Sequence, residues 1–519
     1  MRNILLSVIL CLGVLCSCSQ PKNAVAVNPL TYSDTPDPDV LRVGDDYYLV
    51  TTTMYFCPMV PIMHSKDLVH WSIVSYVTPD LGDEEQYLFQ NGRNAYGKGQ
   101  WATSLQYHDG WFYVLFITND LHKTFIYRTR DAKKSNWEQV AVIDDFFHDA
   151  SLLFDEDGRN YVVFGNRELR VVELESDLSG VKEGGVNELI VDFNPEGFIL
   201  CAEGTRFYHI GEYYYLLEID WPRGGHRTER CWRSKSITGP YEQKVVCDGT
   251  IGGRGDGVAQ GAIVETQNGD WYSVIFQDHG AVGRLSTLQP VTWVDGWPIF
   301  GDNTKPLETF EVNLPESGKE CLWDNDEFNK KDLALVWQWN HKPLDGCWSI
   351  NKERKGWLRL TTGQLATGIS DARNTLTQRT AGPKCTSIVK MDASGLKEGD
   401  FAGICTFQSN RIAIGVKAED GDKFLQATAE GFRQPLKVLA HIPVEDEVVY
   451  LRLDYDFTDD TATMAYSYDR KGWCMIDYKL QMRFTLDYFT GYRTGIFCYA
   501  TEQLGGYADF DYFHQQVTK

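Results

Sequence analysis

The sequence predicts an all-β protein with two large domains, a five-bladed β-propeller followed by a β-sandwich. Aromatic residues make up 13% of the 519 residues, 46 residues are glycine, and stripes of helical periodicity are few. A pattern of one turn and one aromatic strand recurs five times before about residue 310. Beyond that point the repeat stops, but short runs of alternating apolar and polar residues continue, which is typical of a sandwich.

Each copy of the repeat starts with an Asp, Asn or Gly turn and continues into aromatic and β-branched residues. A strand, a tight turn and a second strand form a β-hairpin. The copies are spaced about 50–65 residues apart and begin at Asp45, Asp109, Asp157, Gly211 and Asn268. Five such units predict a five-bladed propeller over residues 29–310.

The N-terminus has the pattern of an export signal. Residues 1–18 combine a basic start, a short apolar run and small residues before Cys18. The stretch Leu15-Cys16-Ser17-Cys18 resembles a bacterial lipobox, which implies that Cys18 becomes the lipidated first residue; a plain signal peptide is the alternative. Residues 19–28 are predicted to be a tether. We therefore expect an exported lipoprotein, periplasmic or outer-membrane associated, that contacts the membrane through its lipid anchor only.

Charge and cysteine content exclude other classes of protein. The net charge of −22 argues against a nucleic-acid partner, because such affinity depends on Lys and Arg neutralising phosphates. The cysteines after the leader form no CxxC pair, which argues against structural zinc. We expect mostly buried free thiols.

A shared offset within the repeat predicts a functional site. Eight residues before each turn, at the start of the preceding strand, stand Asp37, Trp101, Asp149, Glu203 and Gln260. The first strands of all blades line the channel of a propeller, so these positions should converge on its axis. Each carboxylate alone could be a turn or cap residue. Three in one pocket repel one another and cost desolvation energy, which favours a site.

Three neighbouring carboxyl groups suit the chemistry of glycoside hydrolysis. It needs one carboxyl group that protonates the leaving oxygen and one carboxylate that activates water or attacks the sugar. A third carboxylate near the acid raises its pKa by like-charge repulsion. A calcium site is the alternative, but such sites usually draw several oxygens from one short loop.

Several segments resemble glycoside hydrolase family 43, the propeller β-xylosidases and α-L-arabinofuranosidases. They are residues 36–40, 47–50, 64–71, 101–102, 148–152, 202–204 and 233–242. The resemblance implies that Asp37 is the general base, Glu203 the general acid, and Asp149 the residue that tunes and orients the acid. It also implies inversion of the anomeric centre, with base and acid about 6.5–9.5 Å apart.

Five further residues are candidates for substrate binding. Phe56 and Trp101 are candidate walls for the sugar ring, although Phe56 fits a core position equally well. Arg284 is similar to the family arginine that contacts the terminal sugar; a surface ion pair is the alternative. His226 could line the pocket or be an exposed loop residue. Gln260 stands where many members have His and ligates cations weakly, so a structural Ca²⁺ is doubtful; we expect no required cofactor and no metal ligands.

Residues 311–322 are predicted to be a linker and residues 323–519 a β-sandwich. The C-terminal run at 506–513 resembles the concanavalin-like, jelly-roll domain that follows the propeller in family β-xylosidases. An independent carbohydrate-binding module is the alternative.

The predicted function is an inverting exo-glycosidase that releases terminal pentose from oligosaccharides or polysaccharides of plant hemicellulose. A β-D-xylosidase is the first interpretation. An α-L-arabinofuranosidase acting on arabinoxylan or arabinan is the second. A non-catalytic carbohydrate-binding lipoprotein is the competing class.

Overall fold

The computed structural model describes residues 22–431 and 434–518. Its regular structure is β-strand, apart from two short 3₁₀ helices at Gly280–Val282 and Ile369–Asp371. Among the described residues, no helix has the length and apolar character needed to cross a membrane. The predicted signal at 1–18, including Cys18, lies outside the described residues. The ten described cysteines are free thiols, and most are buried.

The first domain is a propeller of five four-stranded antiparallel sheets, as predicted. The first described strand is β1 (Asn23–Val27). Blade one and its surroundings contain β2 (Asp39–Val43), β3 (Asp46–Val50), β4 (Phe56–Cys57), β5 (Met59–Ser65) and β6 (Ser72–Thr78), and blade two contains β7 (Gln100–His108), β8 (Trp111–Thr118), β9 (Lys123–Thr129) and β10 (Glu138–Ile143). Blade three contains β11 (Ser151–Phe154), β12 (Asn160–Asn166), β13 (Glu168–Leu174) and β14 (Asn187–Asp192); blade four contains β15 (Phe198–Ile210), β16 (Tyr213–Pro222), β17 (Thr228–Ser234) and β18 (Glu242–Asp248); and blade five contains β19 (Ala259–Glu265), β20 (Trp271–Asp278), β21 (Arg284–Val294) and β22 (Trp297–Phe300).

The repeated turns join the first two strands of each blade, as the sequence predicts. In blade two, for example, the ladder of β7 and β8 closes at the pair His108 and Trp111. The first strands β2, β7, β11, β15 and β19 pack against one another in a ring. Because each turn lies at the far end of its hairpin, the residues eight positions earlier all lie at one end of the channel.

The second domain is a β-sandwich of two eight-stranded sheets with its own apolar core. After β23 (Thr309–Pro315), its strands are β24 (Gln338–Asn340), β25 (Trp348–Ile350), β26 (Leu358–Thr361), β27 (Thr375–Arg379), β28 (Lys384–Asp392), β29 (Asp400–Phe407), β30 (Arg411–Glu419), β31 (Asp422–Glu430), β32 (Lys437–Pro443), β33 (Val448–Asp456), β34 (Thr461–Ser467), β35 (Cys474–Met475), β36 (Leu480–Gln481), β37 (Arg493–Ala500) and β38 (Tyr507–Thr518). One sheet has the order β32-β31-β30-β29-β37-β27-β24-β4. The propeller strand β4 is therefore its edge strand.

The structure corrects the predicted tether and linker. Within residues 19–28, Asn23–Val27 form β1, which pairs antiparallel with Thr309–Pro315 at the start of the predicted linker. Ala24 and Ala26 are fully buried in this small sheet. Each segment is held as a strand by its buried side chains and by hydrogen bonds to a partner about 290 residues away. No local sequence pattern reveals a pairing over that distance.

Candidate active site

The three predicted carboxylates lie together at one end of the propeller channel. Asp37 and Asp149 precede the first strands of blades one and three, and Glu203 lies within β15 of blade four. Asp37 and Asp149 adopt left-handed backbone conformations, with φ of 54° and 48°, and Gln260 in blade five has φ of 60°. Such conformations are costly for residues other than glycine and cluster at functional sites.

Asp37 is buried and held by three donors. Arg284 Nη1 lies 2.7 Å from Asp37 Oδ1, and Gln260 Nε2 donates to the same oxygen at 3.2 Å. Thr52 donates to Oδ2 at 2.6 Å. The buried guanidinium of Arg206 donates to the main-chain carbonyl of Asp37. These contacts come from blades one, four and five, so they fix the carboxylate on the channel axis.

Glu203 and Asp149 form a compact group with His148. Nε2 of His148 lies 3.5 Å from Glu203 Oε2 and 3.8 Å from Asp149 Oδ2. Ligand-type atoms of the three residues all lie within 4.8 Å of one another. Asn166 also donates a hydrogen bond from its amide to Glu203. Asp149 is fixed separately, since Gly204 N donates to its Oδ2 at 3.0 Å.

The electrostatics of this group are set by burial and by charge. Burial raises the pKa of Asp149; the nearby charge of Glu203 raises it further, and His148 opposes the rise. The negative charge of Asp149, followed by contacts with Glu203, raises the pKa of His148 to about 9 against the effect of burial. At neutral pH a protonated imidazole therefore lies between two acidic groups.

The walls of the pocket come from both domains. Trp101 lies 5.8 Å from Phe489 of the sandwich, measured between ring centroids, and 6.0 Å from His148. Phe489 also lies 4.7 Å from the guanidinium carbon of Arg284. Nε and Nη2 of Arg284 and Nε1 of Trp101 are buried without a partner among the described residues. Unpaired buried donors are costly, so a ligand with hydroxyl acceptors suits this place.

One predicted contact falls elsewhere, and a second has a carboxylate partner outside the trio. Phe56 is not a pocket wall: it is fully buried, belongs to β4 at the edge of the sandwich sheet, and packs 3.7 Å from the guanidinium carbon of Arg493. Phe56 is therefore a core aromatic residue, which was the alternative prediction. His226 binds Asp248 at 2.9 Å, beside the end of the outermost strand of blade four. The structure thus brings six of the eight predicted residues together and places Phe56 in the core, while a contact of His226 with substrate stays a prediction.

Among the described residues, the side-chain donors of the pocket differ from those of a typical calcium site. Ca²⁺ takes six to eight oxygen ligands. In the described part of the chain, the side chains close enough together to hold a metal ion are those of His148, Asp149 and Glu203. They supply two carboxylates and one imidazole. Gln260 donates its amide nitrogen to Asp37.

Comparison with known proteins identifies the family. The model of glycosyl hydrolases family 43 matches residues 26–298. The chain belongs to glycosyl hydrolase family 43. Residues 325–516 match the β-xylosidase C-terminal concanavalin A-like domain, which confirms the predicted second domain. The protein is therefore a glycoside hydrolase of this family.

Relatives of this family 43 enzyme include both predicted activities. It is 28% identical to a β-xylosidase of Formosa agariphila, over 94% of this chain and 89% of that one. It is 30% identical to a non-reducing-end α-L-arabinofuranosidase of Bacteroides ovatus, over 73% and 72%. A solved bifunctional GH43-CE protein of Bacteroides eggerthii superposes with a TM-score of 0.90 at 41% identity, covering 96% of this chain. This chain spans only 64% of that protein.

Sequence reasoning missed five residues that contact the trio or its neighbours: Thr52, His148, Asn166, Arg206 and Phe489. His148 carried a signal, because it directly precedes Asp149 in a segment that resembles the family. Thr52 follows β3 and Asn166 ends β12, at the same end of the channel. Phe489 carried none, since it comes from the other domain.

Proposed function

We propose that this family 43 enzyme is an inverting exo-glycosidase that releases terminal pentose, and that β-D-xylose is its preferred product. One observation carries the proposal: Asp37, Asp149 and Glu203 meet in one pocket beside the unsatisfied donors of Arg284. The names of its relatives support a pentose substrate.

In the proposed reaction, Asp37 accepts a proton from a water molecule as the water oxygen attacks the anomeric carbon. Glu203 donates its proton to the glycosidic oxygen as the carbon–oxygen bond breaks. The free sugar leaves with inverted configuration, and solvent restores both carboxyl groups. Asp149 and His148 place a negative and a positive group beside the Glu203 carboxyl group.

The position of Phe489 supports an exo mode. The ring lies against Trp101 and Arg284, so the sandwich covers one side of the channel end. A pocket covered on one side accepts a chain terminus more readily than the middle of a polymer. The α-L-arabinofuranosidase is kept as the second candidate because a relative of that name matches most of this chain.

We also propose that the enzyme is an exported lipoprotein anchored through Cys18. The support is the lipobox-like stretch Leu15-Cys16-Ser17-Cys18 behind an apolar run. Expression of the full chain in a bacterium fed labelled palmitate tests this. Label on the wild type that disappears in Cys18→Ser supports the anchor, and an unlabelled wild type rejects it.

The reaction is tested by a proton-NMR time course. The enzyme without residues 1–18 is mixed with branched arabinoxylan oligosaccharides, and Glu203→Gln serves as the inactive control. Released xylose that appears first as the α anomer supports an inverting β-xylosidase. Released arabinose moves the assignment to the arabinofuranosidase. Sugar binding without release supports the non-catalytic class.

A further inference from the structure

A second cavity lies beside the proposed acid. It has a volume of about 460 Å³, within the usual range for small-ligand sites of about 300–1,000 Å³. Its lining comes from the turn between β12 and β13, the segment before and at the start of β15, and the loop after β16. Asn166 connects the two sites, because it lines this cavity and donates a hydrogen bond to Glu203.

The cavity adjoins Glu203 through Asn166, which bears on the part of a substrate that can reach it. An acid protonates the oxygen that stays with the leaving group, so the leaving sugar begins at Glu203. The terminal sugar occupies the pocket between Asp37 and Glu203. Because Asn166 both lines the cavity and binds Glu203, the leaving group, or a side group on it, is the part of the substrate that begins next to the cavity. This step rests on the proposed function.

The cavity has an excess of positive charge, although the protein as a whole is acidic. Arg167 and Arg223 both line it, and both are exposed. Every other arginine in the described part of the propeller has a guanidinium group that makes a hydrogen bond, an ion pair or a ring contact. The guanidinium groups of Arg167 and Arg223 make none of these contacts. One carboxylate, Glu196, also lines the cavity, and it forms no ion pair with either arginine. Two free cations face a single anion, although the chain carries a net charge of −22.

The remaining lining suits a sugar. Asn166 and Asn194 provide amide groups for hydroxyls, and Phe198 and Ile199 provide apolar surface. Ile199 is 54% exposed, although it is aliphatic. A guanidinium group matches a carboxylate in geometry and can bind it through two parallel hydrogen bonds.

We propose that this cavity is a leaving-group subsite that binds a sugar acid, with Arg167 and Arg223 pairing with its carboxylate. The preferred substrate then carries a uronic acid on the leaving-group side of the bond that is cleaved. Such a group is repelled by the acidic surface elsewhere, so the arginines decide whether it is accepted.

The test compares two oligosaccharides that differ only in a glucuronic acid substituent on the leaving-group xylose. We expect the wild type to have a kcat/KM about tenfold higher on the acidic substrate at low salt, with the preference reduced at 0.5 M salt. Arg167→Gln with Arg223→Gln should abolish the preference. The matched control is Arg170→Gln on β13, whose guanidinium binds Asn187 outside the cavity; it removes one charge and should leave the preference unchanged.

Binding measurements separate this proposal from the proposed function. Calorimetry on the Glu203→Gln enzyme should give tighter binding of the acidic oligosaccharide than of the neutral one, and the arginine double variant should lose the difference. That result stands even if the wild type releases no pentose, which would reject the proposed function alone. Equal kcat/KM or equal affinity for both oligosaccharides overturns the subsite, as does a preference that the double variant retains.

Discussion

His148 places its Nε2 atom 3.5 Å from the carboxylate of Glu203, in the pocket that also holds Asp149. The pKa of this histidine is raised to about 9, chiefly by the charge of Asp149. A positive charge at this place favours the ionised form of each neighbouring carboxyl group, and a negative charge disfavours it. Glu203 therefore has one neighbour of each charge, and substitutions of the two should shift the pH–rate profile in opposite directions.

His148→Gln should move the alkaline limb of the kcat–pH profile to higher pH. The acid must be protonated to act, and loss of the imidazolium removes a charge that favours its ionised form. We expect a shift of up to about one pH unit. The variant His108→Gln, at the exposed end of β7, is the control and should leave the limb in place. A limb that moves to lower pH would contradict the assignment.

The same histidine should make stability depend on pH. Its pKa in the folded protein, about 9, lies above the ordinary value of about 6.5 in an unfolded chain. Its contribution is then fully present below about pH 6.5 and is lost as the pH rises through about 9. Denaturant unfolding of wild type and His148→Gln at several pH values measures this. The gap in unfolding free energy should be larger near pH 6 than near pH 10, and an equal gap at the two pH values would argue against a raised pKa.

Asp149→Asn should shift the alkaline limb of the profile in the opposite direction, to lower pH. The substitution keeps the shape of the side chain but removes the negative charge within 4.8 Å of Glu203. Without that charge the acid loses its proton more easily. Asp157→Asn, in the exposed turn of the same blade, is the matched control. An unmoved limb in Asp149→Asn would remove the tuning role.

Phe489→Ala tests whether the sandwich contributes to the pocket. The truncation removes the ring beside Trp101 and above Arg284. We expect kcat/KM on xylo-oligosaccharides to fall roughly tenfold or more, because the sugar and Arg284 lose a positioning surface. Leu486→Ala in the same loop is the control, since that side chain is 72% exposed. If both variants match the wild type, the sandwich has no part in binding the terminal sugar.

Phe56→Ala should destabilise the protein without a specific effect on substrate binding. The ring is fully buried and packs on Arg493 between the domains. A large-to-small change at such a site costs about 3–5 kcal/mol. Urea unfolding measures the loss, and KM at low temperature should stay near the wild-type value. A raised KM with unchanged stability would restore the discarded role as a pocket wall.

The sequence by itself determined the propeller, the second β domain and the convergence of the three carboxylates. These features depend on hairpins, which form between residues close in the chain, and on a period that places equivalent residues at equivalent positions. An offset of eight residues was enough to select Asp37, Asp149 and Glu203.

Only the tertiary structure decided which aromatic rings form the pocket. Phe56 pairs with the sandwich sheet instead of facing the sugar, and Phe489 reaches the pocket from a loop about 200 residues beyond the last blade. The pairing of Asn23–Val27 with Thr309–Pro315 likewise could not be predicted from the sequence. Contacts between distant segments do not recur at a fixed spacing, so they leave no periodic pattern in the sequence. They form only when the distant parts of the chain pack against each other.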